Sequence, residues 1–193
     1  MRWVVFDYGR VISEPNGEMA ALAALLGVPV EAFADAYWAS RDTYDAGRPD
    51  LEYWRAVGDA VGVPVDEELT RRLTEVDVRG WLRPEPAAVE LVAELASAGV
   101  PLALLSNAPV SLARTAERQP WAGYFRHLVF SGDVGVAKPD PRIFAALARR
   151  IGAEPGECVF FDDRQENVDG AVAAGLTGVL WQGPAHAREV LAS

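Results

Sequence analysis

Val4-Val5-Phe6-Asp7 and Val159-Phe160-Phe161-Asp162-Asp163 are two apolar runs, one near each end of the chain, and each stops abruptly in acid. Neither run alternates polar with apolar residues. Each therefore reads as a short strand buried on both faces, as parallel strands in α/β proteins are. Acids at the exits of two such strands meet at the carboxyl edge of the sheet, where open α/β folds place their active sites. Carboxylates converging there repel one another unless a cation joins them, and a hard, oxygen-preferring ion such as Mg2+ is the natural candidate.

Working outward, residues 13–82 carry helical patterns and no strand, which marks a helical insertion after the first strand. Helices are expected over 17–26 before Gly27, over 30–46 before Gly47, from Asp50 to near Gly62, and over 66–78 before Gly80, with Asp50 and Asp66 as N-caps. From Pro84 helix and strand alternate, as in βαβ units. Strands are expected over 100–105, 128–130, 158–161 and 179–181. One intervening helix carries Ala88, Leu91, Val92, Leu95 and Ala96 on a single face, another follows Pro141, and a third covers 165–174. The expected fold is α/β, a doubly wound parallel sheet, with residues 1–13 and 83–193 as its core and 14–82 as the inserted helical segment.

Composition narrows the function. A chain of 193 residues fits one domain with an insertion or two small domains. Half of the residues are hydrophobic, yet no run approaches the roughly 18 apolar residues of a membrane span. The start is too short before its first acid for a secretion signal, so a cytoplasmic location is expected. The net charge of -10 comes with no Lys/Arg cluster able to neutralise phosphates, which argues against nucleic acid and reads as solubility. No obligate protein partner is evident. The single Cys158 excludes an internal disulfide and, inside the second run, reads as buried packing. His127 and His186 are far apart in the sequence and support neither a zinc site nor a Ser/His/Asp arrangement.

Polar groups stand at four strand exits or adjacent loops: Asp7, Ser106-Asn107, Lys138 before Pro139, and Asp162-Asp163. Any one of them alone reads as a strand-end acid, a turn serine or a solvated lysine. Together and in this order they resemble the haloacid dehalogenase-like hydrolase superfamily, whose motifs are a nucleophilic Asp, a Ser/Thr, a Lys and an acidic pair. The resemblance covers nearly the whole chain and implies a Rossmann-like core with a small helical cap. It implies that Asp7 attacks a phosphoryl group, that Mg2+ is held by Asp7, the carbonyl of Gly9 and Asp163, and that Ser106 and the amides after it hold phosphate oxygens while Lys138 neutralises charge. Asp162 and Asn167 would stand behind these ligands. Asp162 and Asp163 are adjacent, so their side chains point different ways, and the family register gives the metal to Asp163. The Asp-Asp-x-x-x-Asn form is similar to the subgroup with glucose 1-phosphate phosphatases and the phosphatase domains of epoxide hydrolases.

The first motif departs from the common Asp-x-Asp of phosphatases in this superfamily. Here it reads Asp7-Tyr8-Gly9, without the second acid that protonates the leaving oxygen, a loss typically costing about 10² to 10⁴ in rate. Glu14 at the cap hinge is a candidate stand-in or a solvated acid. Arg10 and Arg164 flank the site and are candidates to bind a second anionic group, with pairing to Asp162 or Glu166 as the other reading of Arg164. The expected function is a Mg2+-dependent phosphomonoesterase for a small phosphorylated metabolite. The rivals are a metal-independent 2-haloacid dehalogenase and a catalytically weak phosphate-binding regulatory module. The dehalogenases place Tyr-Gly one residue later and lack the Asp-Asp pair.

Overall fold

The expected strands form because helices cover both faces of the sheet. In a computed structural model describing residues 2–192, β1 (Trp3–Phe6), β2 (Leu102–Ser106), β3 (His127–Phe130), β4 (Cys158–Asp162) and β5 (Thr177–Leu180) make one sheet in the order β3-β2-β1-β4-β5. Every pairing is parallel. Met1 and Ser193, the outer ends of the expected core segments, lie outside the described residues.

Along β1, Val4 and Phe6 face one core cluster while Val5 faces another. The first contains α6 (Pro86–Ser97), α7 (Val110–Ala116) and α11 (Pro184–Ala192); the second contains α9 (Pro141–Ile151) and α10 (Gln165–Ala173). A strand with apolar partners above and below has no polar face to show, which is why the two deciding runs do not alternate. Phe6 pairs in register with Leu104 and Phe161, so β4 runs one residue and β2 two residues past the end of β1 at the same edge. The chain winds outward from β1 in both directions, and the crevice at that reversal is where ligands bind in such sheets.

The insertion holds α1 (Met19–Leu26), α2 (Val30–Ala39), α3 (Arg41–Asp45), α4 (Asp50–Val61) and α5 (Glu67–Trp81). It has its own core around Leu22, Phe33, Tyr37, Tyr53, Trp54 and Leu73. Tyr44 and Tyr53 stack with centroids 3.9 Å apart. No single helix among the described residues is long and apolar enough to cross a membrane.

Three expected details are corrected. The single helix over 30–46 is broken at Ser40, whose φ of -119° and ψ of 7° leave the helix, and α3 starts at Arg41. Gly80 does not end the fourth cap helix, which continues to Trp81. A Cβ at Gly80 would lie 2.0 Å from Asn16 Oδ1, so glycine there makes room for the crossing linker. Asp66 is an N-cap, accepting from the Leu69 amide, but Pro49 takes that position at α4 and Asp50 is its first helical residue, accepting a hydrogen bond from Tyr44 Oη at 2.8 Å.

Candidate active site

β1 and β4 deliver Asp7 and Asp162 side by side, and the Asp7 amide still donates to the Phe161 carbonyl at 2.8 Å. Between the two carboxylates stands Lys138. Its Nζ donates to Asp7 Oδ1 at 2.7 Å, to Asp162 Oδ2 at 2.7 Å and to the Leu105 carbonyl at 2.8 Å. Its side chain is 1% exposed. Asn107 positions this lysine, because its side chain donates to the Lys138 carbonyl and accepts from the Lys138 amide at 2.9 and 2.8 Å. One Nδ2 hydrogen and the Oδ1 atom are thereby engaged, and Asn107 also borders the cavity.

Asp162 is fully enclosed. Besides Lys138 it accepts from the Arg164 amide at 2.9 Å and from Asn167 Nδ2 at 2.9 and 3.1 Å. Asp163 turns the other way and borders the cavity. Ligand oxygens of Asp7, Asp162 and Asp163 all lie within 4.8 Å of one another. Burial pushes the Asp7 carboxyl upward, with Asp162 adding to the rise and Lys138 opposing it. Asp163 is raised too, by partial burial and by Asp162. Three carboxyl groups share one ammonium in a largely buried site, with Arg10 opposing the rise at Asp163 from the mouth.

These groups open onto a cavity of about 340 Å³ at the sheet's carboxyl edge. The core contributes Asp7, Gly9, Ser106, Lys138, Asp163 and Asn167 to its wall. Ser106 is 2% exposed, and its hydroxyl has no hydrogen-bond partner within the described residues. Arg10, at a φ of 59°, borders the mouth. Arg164 also borders it, but its guanidinium is paired with Glu166. Glu14 is not part of the wall; it pairs with Arg83 at 2.6 Å with 40% of its side chain exposed.

The cap closes the cavity with Trp38, Arg41, Asp45 and Trp81, none of which was singled out from the sequence as a site residue. Trp38 is 51% exposed at the opening, whereas Tyr44 and Trp54 are core aromatics with no exposure. A signal for part of this set exists: Arg41 and Asp45 are spaced i, i+4 on α3, which puts them on one helical face. Arg41 is buried, bonded through Nε to Asp45 at 2.8 Å and through Nη1 to Asp77 at 3.1 Å and to Tyr37. Trp81 Nε1 donates to Tyr37 Oη at 3.1 Å, and the Trp81 carbonyl accepts from Tyr8 Oη at 2.8 Å. Cap root and first motif are thus fastened together.

The family model for haloacid dehalogenase-like hydrolases matches residues 4–175. The chain belongs to this family. The hydrolase is 28% identical over 199 residues to the plasmid protein CbbY of Cupriavidus necator, an alignment covering 93% of this chain and 78% of that one. It is 36% identical over 130 residues to phosphoserine phosphatase of Thermus thermophilus, spanning 64% of this chain and only half (50%) of that enzyme. Among solved structures it is similar to L-2-haloacid dehalogenase from Xanthobacter autotrophicus at a TM-score of 0.74, with 21% identity covering 100% of this chain and 83% of that one. An enzyme of the family from Bacteroides thetaiotaomicron, in complex with magnesium and inorganic phosphate, superposes with a TM-score of 0.74 at 16% identity, covering 95% of each chain. At these identities the two structures speak for the hydrolase's fold alone.

Proposed function

We propose that this hydrolase is a Mg2+-dependent phosphomonoesterase for a small phosphorylated metabolite, working through an aspartyl-phosphate on Asp7. The observation that carries the reading is the clustering of the Asp7, Asp162 and Asp163 carboxyl groups around the single Lys138 ammonium at the sheet edge, an arrangement with negative charge in excess. A divalent cation balances it, and an all-oxygen donor set suits Mg2+. Asn167 fits as well: its Oδ1 is buried without a hydrogen-bond partner and its side chain borders the cavity, so it can accept from a water on the ion.

In this reading Asp7, the Gly9 carbonyl and Asp163 hold the ion, and Asp162 and Asn167 stand behind them. Bound Mg2+ supplies the positive charge that lets a carboxylate approach a phosphate dianion. Lys138 fixes Asp7 Oδ1, leaving the other oxygen to attack phosphorus. The Asp7–phosphorus bond forms as the ester oxygen departs; water then attacks phosphorus and frees Asp7. Ser106 Oγ and the amides following it hold the phosphoryl oxygens. Arg10 is the cation available for a second anionic group on the substrate. Residues 1–13 and 83–193 then form the catalytic core, and 14–82 the cap that selects substrate.

The test is turnover of a phosphorylated-metabolite panel, with 2-haloacids beside it, in Mg2+ and in chelator. Phosphate release that requires Mg2+ and disappears in Asp7→Asn, with the melting temperature retained, is expected. Halide release indifferent to chelator would overturn the reading.

A further inference from the structure

We infer that Asp45, carried by the cap, is the acid that protonates the leaving oxygen, in place of the carboxyl group missing at position 9. The inference rests on the phosphomonoesterase reading and names a residue that reading lacks.

Three aspartates border the cavity among the described residues: Asp7, Asp163 and Asp45. The first two belong to the nucleophile and the metal, so Asp45 is the one without a task. Its direction is right. In-line displacement puts the leaving oxygen on the side of phosphorus away from the attacking Asp7, and Asp7 sits at the sheet edge, so the leaving group points toward the cap. Asp45 is in that roof.

Its place is also fixed relative to the core. Ser131 Oγ donates to the Asp45 carbonyl and accepts from the Ala108 amide at 2.9 Å, tying Asp45 to the loop that follows Ser106. Tyr44 Oη meets Ser111 Oγ at 3.1 Å on one side. On the other, Gly47 lies so close to Gly132 that a Cβ would stand 2.8 Å from its carbonyl oxygen. Residues 44–47 are thus docked on the core, while the Asp45 carboxylate is held from the cap side by Arg41.

The surroundings suit a proton carrier. Arg41 and Asp42 face Asp45 from its own helix, Asp77 from α5 and Tyr53 from α4; across the cavity stand Asp7, Asp163, Arg10, Lys138 and Arg164. Burial pushes the Asp45 carboxyl up to about 6 against the pull of Arg41, with Asp77 and Asp42 raising it further. Arg41 is shared with Asp77, so it steadies the Asp45 anion without forbidding the acid. Such a value lies near the working range of a general acid–base.

The steps balance. As Asp7 bonds to phosphorus and the ester O–P bond breaks, the Asp45 O–H proton passes to the departing oxygen, giving the alcohol and the Asp45 carboxylate. Water then attacks phosphorus, its proton returns to Asp45, and Asp7 and inorganic phosphate are released.

The experiment compares Asp45→Asn with wild type on an alkyl phosphate and on 4-nitrophenyl phosphate, whose leaving group departs without a proton. Loss of roughly 10² to 10⁴ in kcat/KM on the alkyl ester and of less than about tenfold on the aryl ester is expected, because kcat/KM reports the steps through departure of the ester oxygen and not the attack of water that both esters share. Wild type should also show a fall in kcat/KM above about pH 6 for the alkyl ester alone, which Asp45→Asn abolishes. Equal loss on both esters, as a merely structural Asp45 would give, overturns the inference while the phosphatase reading stands. A wild-type enzyme that hydrolyses no phosphate ester overturns both. If Asp45→Asn does not fold, the wild-type pH profiles decide: a high-pH limb shared equally by both esters, or absent from both, sinks the assignment. Glu14→Gln, outside the cavity wall, should leave both rates unchanged.

Discussion

Replacing Lys138 by methionine removes one positive charge while nearly preserving volume, so the loss measures electrostatics and hydrogen bonding rather than a cavity. In the native protein its ammonium is the charged partner of both Asp7 and Asp162 at 2.7 Å. Asp162 has no exposure and would keep only the Arg164 amide and Asn167 Nδ2. Removing one partner of a buried ion pair costs about 3–5 kcal/mol, because the charge left behind has lost both water and partner. At ~2–4 °C per kcal/mol for a chain of this size, the melting temperature should fall by roughly 6–20 °C. Urea denaturation with chelator present, to keep a metal from replacing the ammonium, reads the effect directly. Lys138→Met combined with Asp162→Asn should cost less than the two single changes added, by about 1–3 kcal/mol. Arg71 provides the contrast. It also contacts two carboxylates, those of Glu68 and Glu75 at 2.6 Å, but its side chain is 57% exposed, and Arg71→Met should leave the melting temperature nearly unchanged. If Lys138→Met cost no more than Arg71→Met and showed no coupling to Asp162, the claim that burial makes this pair strong would be refuted.

Other outcomes follow from the same geometry. Asp163→Ala should weaken Mg2+ affinity in calorimetric titration more than Asp162→Ala does, since Asp163 faces the cavity while Asp162 is fully engaged by Lys138, Asn167 and the Arg164 amide; the reverse order would move the metal. The Asp45 carboxyl, at about 6 in the folded protein against an ordinary 3.8, binds more protons folded than unfolded between about pH 4 and 6. Its contribution to stability is therefore complete below pH 4 and is lost as pH rises through 6, about 1.4 kcal/mol per pKa unit. Subtracting the Asp45→Asn denaturation curve from that of wild type should reveal this downward slope, and a flat difference would show an unshifted carboxyl. Gly9→Asp, where a new Cβ would meet the Trp81 ring at an ordinary 3.6 Å, should return part of the alkyl phosphatase activity lost in Asp45→Asn, measured as kcat/KM on the alkyl ester; no recovery would mean that the new carboxylate does not reach the leaving oxygen.

What the sequence discloses here follows from the range of the interactions involved. β1 and β4 are legible because burial on both faces forces an uninterrupted apolar run, and the acids that end those runs can only lie at one edge. Asp66 is legible as a cap because it bonds to an amide three residues away. Ser40 is not, since 30–46 carries a helical pattern in the sequence across the break at Ser40. Gly80 misleads for a similar reason: a glycine near a helix end reads as a stop, but here it admits Asn16 from a segment more than sixty residues earlier in the chain. Val110–Ala116 and Ser131–Val134 are too short for a period to show.

The cavity roof escapes the sequence for a deeper reason. Asp7, Ser106 and Asp163 reach the site at or just past strand ends fixed by sheet register, and Lys138 is held there by Asn107 from the end of β2. Arg41, Asp45 and Trp81 reach it only because the cap is docked, and docking rests on contacts such as Ser131 with the Asp45 carbonyl and Gly47 against Gly132, between residues with no chemical signature. The glycine in the first motif belongs to the same arrangement. With no side chain at position 9, the Trp81 ring comes to 3.6 Å of where a Cβ would be, while Tyr8 holds the Trp81 carbonyl. A chain built this way has its opening for a proton donor on the cap side of the cavity, where Asp45 stands.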